Sequence, residues 1–311
     1  MKVAIHDADA ERLIGKKQSG KFPNLALMKI SAYYKAQGDT VAWWNGPIYS
    51  YDLVYSSKVF DFTPEEPFLP PETIKGGTGY GGDISKQLPH EIDRMKPDYS
   101  IYPKCDYAIG FLTRGCPNRC PWCYVPAKEG DIKPYRDWHE IVRTDTNKLV
   151  LMDNNVLASE YGIAQLESLV GSGYRIDLNQ GMDARLVTPE VADILARLEW
   201  IRVLRFSCDQ QSQIEPVSRA VELLEKRGVK PYRIFVYVLV RQNVADAAYR
   251  VEKLKKYHNI NLYGMPERNE GMGIVPSKEQ LRFAQKYLYS ETYRNETWEE
   301  YKRRSPDGRK K

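Results

Sequence analysis

Three cysteines stand within eight residues, Cys116-Pro117-Asn118-Arg119-Cys120-Pro121-Trp122-Cys123, in the spacing C-x3-C-x2-C. A turn this short can present three thiolates to three irons of a cubane, whereas a 4Fe-4S cluster that only carries electrons normally takes four cysteines. The fourth iron is then open to bind and reduce a ligand, chemistry that side chains alone do not supply. The competing reading is a structural zinc that recruits Cys105 or His139 as its fourth ligand. Structural zinc frameworks usually pair two C-x-x-C units, or one with histidines, and only one C-x-x-C is present here.

Trp122 directly before the last cysteine, and the strand-like Tyr107-Ala108-Ile109-Gly110-Phe111-Leu112 leading into the loop, complete a pattern that resembles the radical SAM superfamily. The resemblance implies that the loop follows the first strand of a barrel. It also implies one 4Fe-4S cluster on Cys116, Cys120 and Cys123, and reductive cleavage of S-adenosyl-L-methionine to a 5′-deoxyadenosyl radical that abstracts hydrogen from a substrate. The expected protein partner is an electron donor such as flavodoxin or ferredoxin. The stretch Thr113-Arg114-Gly115-Cys116-Pro117 further resembles the loop of methylthiotransferases, which carry a second cluster. Setting the loop aside, the five cysteines leave only Cys105 and Cys208, too few for another all-cysteine cubane, so methylthiolation is not expected.

Around this loop the 311 residues are enough for two domains. Residues 1–96 read as a small Rossmann-like α/β domain: a strand at 2–6, a helix from Asn24 to Gln37, and strands at Thr40–Trp44 and Leu53–Tyr55. This portion resembles the cobalamin-binding domain that precedes many radical SAM barrels, and a cobalamin-dependent methyltransferase is an alternative on that ground. His6-Asp7 is not the Asp-x-His-x-x-Gly of a lower-axial histidine, so bound cobalamin is not expected. The run Gly76-Gly77-Thr78-Gly79-Tyr80-Gly81-Gly82 contains G-x-G-x-x-G but does not follow the first strand of a βαβ unit, so it reads as a flexible loop passing near the barrel mouth.

Residues 97–106, with prolines at Pro97 and Pro103, read as an extended linker. Residues 107–275 alternate strand and helix through six units, which suits a partial (β/α)6 barrel; Ile234 to Val240 reads as a buried parallel strand, apolar throughout. Residues 276–311 are a helical extension ending in a basic tail, Lys302-Arg303-Arg304 and Arg309-Lys310-Lys311, the weak basis for nucleic acid as a partner. The net charge of +5 does not by itself call for one. No apolar run approaches the ~18 residues of a membrane span, and five cysteines with three clustered fit a reducing compartment, so a cytoplasmic protein is expected.

In barrels of parallel strands chemistry gathers where the strands end. The resemblance implies that Asp153, Asn154 and Asn155 meet the amino group of S-adenosylmethionine, Ser207 and Asp209 its ribose, and Met265 its adenine, with Trp122 close to the cluster. Gln180, Asp183 and Arg185 lie in a glycine-spaced turn that would present a carboxylate and a guanidinium for bidentate recognition. Arg114, Arg185, Arg205, Arg241 and Arg268 all fall near strand ends, which points to an anionic substrate. Cys208 is a candidate hydrogen donor to a substrate radical; if Arg205 and Ser207 face the interior, alternation turns it toward the helices and it only packs. The reading from a different class is a non-catalytic, zinc-stabilised binding protein.

Overall fold

A computed structural model describes residues 1–11, 22–257 and 259–306. The chain forms two compact units, Met1–Ala108 with Glu270–Met272, and Ile109–Asn269 with Gly273–Lys311. Both are α/β with parallel sheets.

In the first unit, strands β1 (Lys2–Asp7), β2 (Thr40–Trp43), β3 (Leu53–Ser57) and β4 (Ile74–Gly76) lie in the order β2-β1-β3-β4, every pair parallel. Central β1 is buried from Val3 onward, as a parallel strand covered on both faces must be. Helix α1 (Leu25–Ala36) makes the crossover; Asn24 caps it by accepting the Leu27 N–H at 3.3 Å, and Leu27, Ile30 and Tyr34 pack on Val3 and Ile5.

Two expectations are corrected here. Residues 97–106 are not a free linker, because their polar groups bind the first unit. Asp98 accepts Ser31 Oγ and Lys35 Nζ, both at 2.7 Å, and the Tyr102 hydroxyl donates to buried Asp7 at 2.7 Å. The glycine run is no loose loop either. A Cβ on Gly77 (φ +96°) would stand 2.3 Å from the Lys58 carbonyl oxygen, and one on Gly79 2.5 Å from that of Phe60. The glycines let this backbone pack on the chain leaving β3.

In the second unit, β5 (Ala108–Gly110), β6 (Lys148–Leu151), β7 (Arg175–Leu178) and β8 (Glu199–Trp200) form one sheet in the order β8-β7-β6-β5. A second sheet holds β9 (Leu204–Ser207), β10 (Ile234–Val240) and β11 (Asn261–Pro266) in parallel register. A parallel bridge between Met182 and Phe206 connects the end of β7 to β9: Met182 N–H donates to Arg205 O at 2.8 Å, and Ser207 N–H to Met182 O at 3.2 Å. Helices α2 (Glu160–Leu169), α3 (Pro189–Arg197), α4 (Ile214–Glu225) and α5 (Val244–Tyr257) lie between successive strands. Side-chain oxygens of Ser159 and Thr188 cap α2 and α3, and Pro189 opens α3, where its missing N–H costs nothing.

The reading of β10 as uniformly buried is refined. Ile234, Val236, Val238 and Val240 are fully buried, whereas Phe235, Tyr237 and Leu239 on the other face are only partly so. That second face is aromatic: the Phe235 ring centroid lies 5.2 Å from Tyr237 and 5.7 Å from Tyr263. After β11, Lys278–Arg282 runs into a wider-wound turn, Phe283–Leu288, and a last helix, Trp298–Arg304, whose Trp298 meets Phe283 edge-on at 5.0 Å. Lys302 and Arg304 of the expected basic tail pair with Glu299 and Glu296, and Arg309-Lys310-Lys311 lies outside the described residues. Among the described residues no helix is long and apolar enough to cross a membrane.

Candidate functional site

The cysteine loop is built on a turn that only glycine can make. Gly115 has φ +85°, and a Cβ there would stand 2.3 Å from Asp131 O and 2.7 Å from Gly130 O. Across this contact Cys116 N–H donates to Gly130 O at 3.1 Å, and Thr113–Arg114 pairs antiparallel with Lys133–Pro134. Glu129 ties the turn together. Its carboxylate accepts a fork from Arg114 at 2.9 and 2.7 Å, the Gly115 N–H at 3.0 Å and Asn154 Nδ2 at 3.0 Å. Burial opposes ionisation of Glu129, but the Arg114 fork and the Gly115 N–H outweigh it and hold the carboxyl below its usual range.

Asp153, at the end of β6, supports the same loop from beneath. It is buried and accepts Leu112 N–H at 3.0 Å, Thr113 N–H at 2.6 Å and Thr113 Oγ1 at 2.7 Å. Both oxygens are engaged, so its role is to fix the chain entering the cysteine loop. Burial, against those three donors, pushes the carboxyl up to about 6. A folded-state value above the ordinary 3.8 means that the group's contribution is complete below about pH 4 and is lost as pH rises through about 6. Asp153→Asn, which cannot titrate and turns an amide toward a backbone N–H, is expected to be destabilising by ~1–3 kcal/mol at pH 4. Relative to the parent the variant should gain about 2–3 kcal/mol between pH 4 and pH 7, so that the penalty disappears or reverses. Urea unfolding of parent and variant at the two pH values measures it, and a penalty independent of pH contradicts the assignment.

The three thiols are graded in exposure: Cys116 buried, Cys120 intermediate, Cys123 exposed. Burial, with Cys123 and Cys116 beside it, pushes the Cys120 thiol up, and burial with Cys116 and Asp209 nearby does the same for Cys123. The sulfurs thus lie within electrostatic reach of one another and of Asp209. Two N–H groups are aimed at them, Val125 N–H to Cys123 Sγ at 3.4 Å and Asn155 Nδ2 to Cys116 Sγ at 3.6 Å. The buried Oδ1 of Asn155 has no hydrogen-bond partner among the described residues.

Side chains from other strand ends clasp the loop. Asn118 Nδ2 donates to Asp183 at 3.1 Å, and the Arg241 guanidinium lies 5.0 Å above the Trp122 ring. The expectation for Arg185 is corrected. Asp183 caps the turn Ala184–Leu186 by accepting the Arg185 N–H at 3.1 Å, which folds the guanidinium back into a fork on the same carboxylate at 2.8 and 2.6 Å. The pair is mutually satisfied. Arg114 is spent on Glu129, and Arg205 forms a buried ion pair with Asp177. Arg241 makes no ion pair among the described residues, so the argument for an anionic substrate narrows chiefly to it.

Of the remaining candidates, Gln180 is exposed, as is Met265 on β11. Ser207 Oγ faces Gly181, where a Cβ would stand 2.1 Å from it. Burial raises the Asp209 carboxyl against the pull of Arg250 and Arg241, and its N–H donates to Gln213 Oε1 at 2.6 Å. Cys208 is fully buried, and burial pushes its thiol up to about 12. With Arg205 and Ser207 on the other face, the full burial of Cys208 fits the alternative in which it only packs. The sequence reading missed Glu129, Asn118 and Arg250. Only Arg250 had a signal, an arginine four residues after Asp246 within the apolar stripe of α5.

Both proposed fourth zinc ligands have other partners. His139 Nδ1 is held by Asp137 at 2.5 Å, with its ring stacked on Trp138 at 3.6 Å, and Cys105 donates to Tyr107 O at 3.3 Å. Among the described residues no group of three His, Cys, Asp or Glu side chains is set to hold a metal ion. Ligands of one ion converge on a point at bonds of about 2.0–2.3 Å, whereas three thiolates of a cubane sit on three separate irons. Three thiols in mutual electrostatic reach, two of them facing N–H donors, are a donor set that fits the larger group. No family model matches the chain, and no curated protein matches it.

Proposed function

We propose that the chain is a radical SAM enzyme, with Cys116, Cys120 and Cys123 holding one 4Fe-4S cluster inside a partial (β/α)6 barrel of β5, β6, β7, β9, β10 and β11. The observation that carries this reading is the clasp on the cysteine loop. Asn154 and Asn155 after β6, Asp183 after β7 and Arg241 after β10 all reach it or its supports. Parallel strands that follow one another in the chain, joined by the Met182–Phe206 bridge, favour the barrel topology.

When bound, the cluster supplies the electron for reductive cleavage of S-adenosylmethionine. The side chains do the rest. The N–H groups of Val125 and Asn155 direct positive dipoles at Cys123 and Cys116, which sets the potential at which the site accepts an electron. Trp122 under Arg241 shields one side from water, and exposed Gln180 and Met265 offer polar and apolar contacts to the nucleoside. A flavodoxin or ferredoxin would deliver the electron.

Anaerobic reconstitution with iron and sulfide, followed by reduction in the presence of S-adenosylmethionine, tests the reading. About four irons per chain with 5′-deoxyadenosine formed is the expected result. One zinc per chain and no cleavage would replace it with the zinc-stabilised binding protein.

A further inference from the structure

At the amino ends of β7, β8, β9 and β10, the opposite end of these strands from the cysteine loop, an open cleft of about 510 Å³ is lined by Arg175, Trp200, Arg227, Lys230, Tyr232 and Arg233. Glu199 is the one carboxylate in its wall. The four cations are not equivalent. Arg227 is neutralised by Asp193, with which it forms an ion pair. Arg175, Lys230 and Arg233 have no carboxylate partner among the described residues.

Two of these guanidiniums are nevertheless held in place. Arg175 Nη2 donates to Ile201 O at 3.4 Å, and Arg233 Nη2 donates to Trp200 O at 3.4 Å and Arg202 O at 3.1 Å. They therefore grip three successive carbonyls of the turn between β8 and β9 while most of their five N–H donors stay unspent. Elsewhere in this unit half-buried Arg114, exposed Arg185 and buried Arg205 all satisfy themselves on carboxylates. Here planar donors fixed by backbone, with Lys230 exposed beside them, form a prepared fork for an oxyanion. Tyr232, 64% exposed, presents an aromatic ring at the rim, and its backbone carbonyl is tied down by Asn261 Nδ2 at 2.7 Å.

We propose that this cleft is a second ligand site, separate from the cysteine site, that takes a nucleotide-sized organic phosphate, the phosphate on Arg175, Lys230 and Arg233 and a planar group against Tyr232. Its volume lies in the range of small-molecule sites. The cations converge on one cleft instead of running as a stripe, which favours a single phosphate group over a nucleic-acid backbone.

Calorimetric titration with uridine monophosphate, and with uridine as the phosphate-free control, tests this. Binding of the monophosphate but not of uridine is expected, and Lys230→Glu and Arg175→Gln should each weaken it by about tenfold or more. Lys230 is exposed and its side chain makes no hydrogen bond or ion pair among the described residues, so its variant keeps the test valid should Arg175→Gln fail to fold. The Cys120→Ala chain should bind the monophosphate as the parent does, which separates this site from the cluster. Equal binding of uridine, or affinity unchanged in Lys230→Glu, overturns the proposal. So does a uridine oligonucleotide that binds far more tightly with a salt dependence of several phosphates, which would make the cleft part of a nucleic-acid surface.

Discussion

Replacing any one of Cys116, Cys120 or Cys123 with alanine is expected to abolish 5′-deoxyadenosine formation while leaving the chain folded. The three positions do not carry equal structural risk. Cys123 is exposed and Cys120 half-buried, and truncation at such sites usually changes stability by no more than ~0.5 kcal/mol. Cys116 is buried under Asn155, so its removal also costs packing. Cys123→Ala is therefore the cleanest probe: the far-ultraviolet circular dichroism and the urea midpoint stay with the parent, and the iron content falls. Cys208→Ala and Cys105→Ala are the controls, since both thiols are buried and neither belongs to the C-x3-C-x2-C loop, so both variants should hold about four irons per chain after reconstitution. A Cys120→Ala protein that still produced 5′-deoxyadenosine at the parent rate would sink the cluster assignment.

The contrast between what was legible in the sequence and what was not has a physical basis. β10 was readable to the residue because a β-branched and apolar run bounded by turn residues leaves few alternatives, and α1 announced itself through Asn24 and its apolar periodicity. The cysteine loop was legible because thiolate spacing is local. Long-range partners were not. Arg185 was read as reaching outward, yet Asp183 spends its carboxylate first on the adjacent turn and then on the guanidinium two residues on. No pattern near Glu129 signals that it gathers Arg114, Gly115 and Asn154, since that meeting exists only once the turn at Gly115 has closed. For the same reason residues 97–106 looked like a linker: proline content was visible, but the bonds from Asp98 to Ser31 and Lys35 span more than sixty residues.

Arg250→Met is expected to destabilise the second unit by about 3–5 kcal/mol. Arg250 has no solvent exposure, although it is charged. Its guanidinium donates to Cys208 O, to Leu239 O at 2.7 Å and to Asp246 at 3.0 Å, so one side chain on α5 satisfies the backbone at the ends of β9 and β10. Methionine fills much of the space with no donor. Two buried carbonyls are then left without this partner, and among the described residues the Asp246 carboxylate keeps only its bond from Gln211 at 2.7 Å. Arg250→Lys should recover only part of the loss, because one ammonium cannot match a planar fork spread over three acceptors. The strand ends it holds lead directly into Asp209 and Arg241, and Arg250 also opposes the burial that raises the Asp209 carboxyl. Its removal should therefore push that carboxyl further up and loosen the seat of Arg241 over Trp122. Urea unfolding of the three proteins decides the matter: a loss under about 1 kcal/mol for Arg250→Met, or full recovery in Arg250→Lys, would show that the bonds to Cys208 and Leu239 are not what holds these strand ends together.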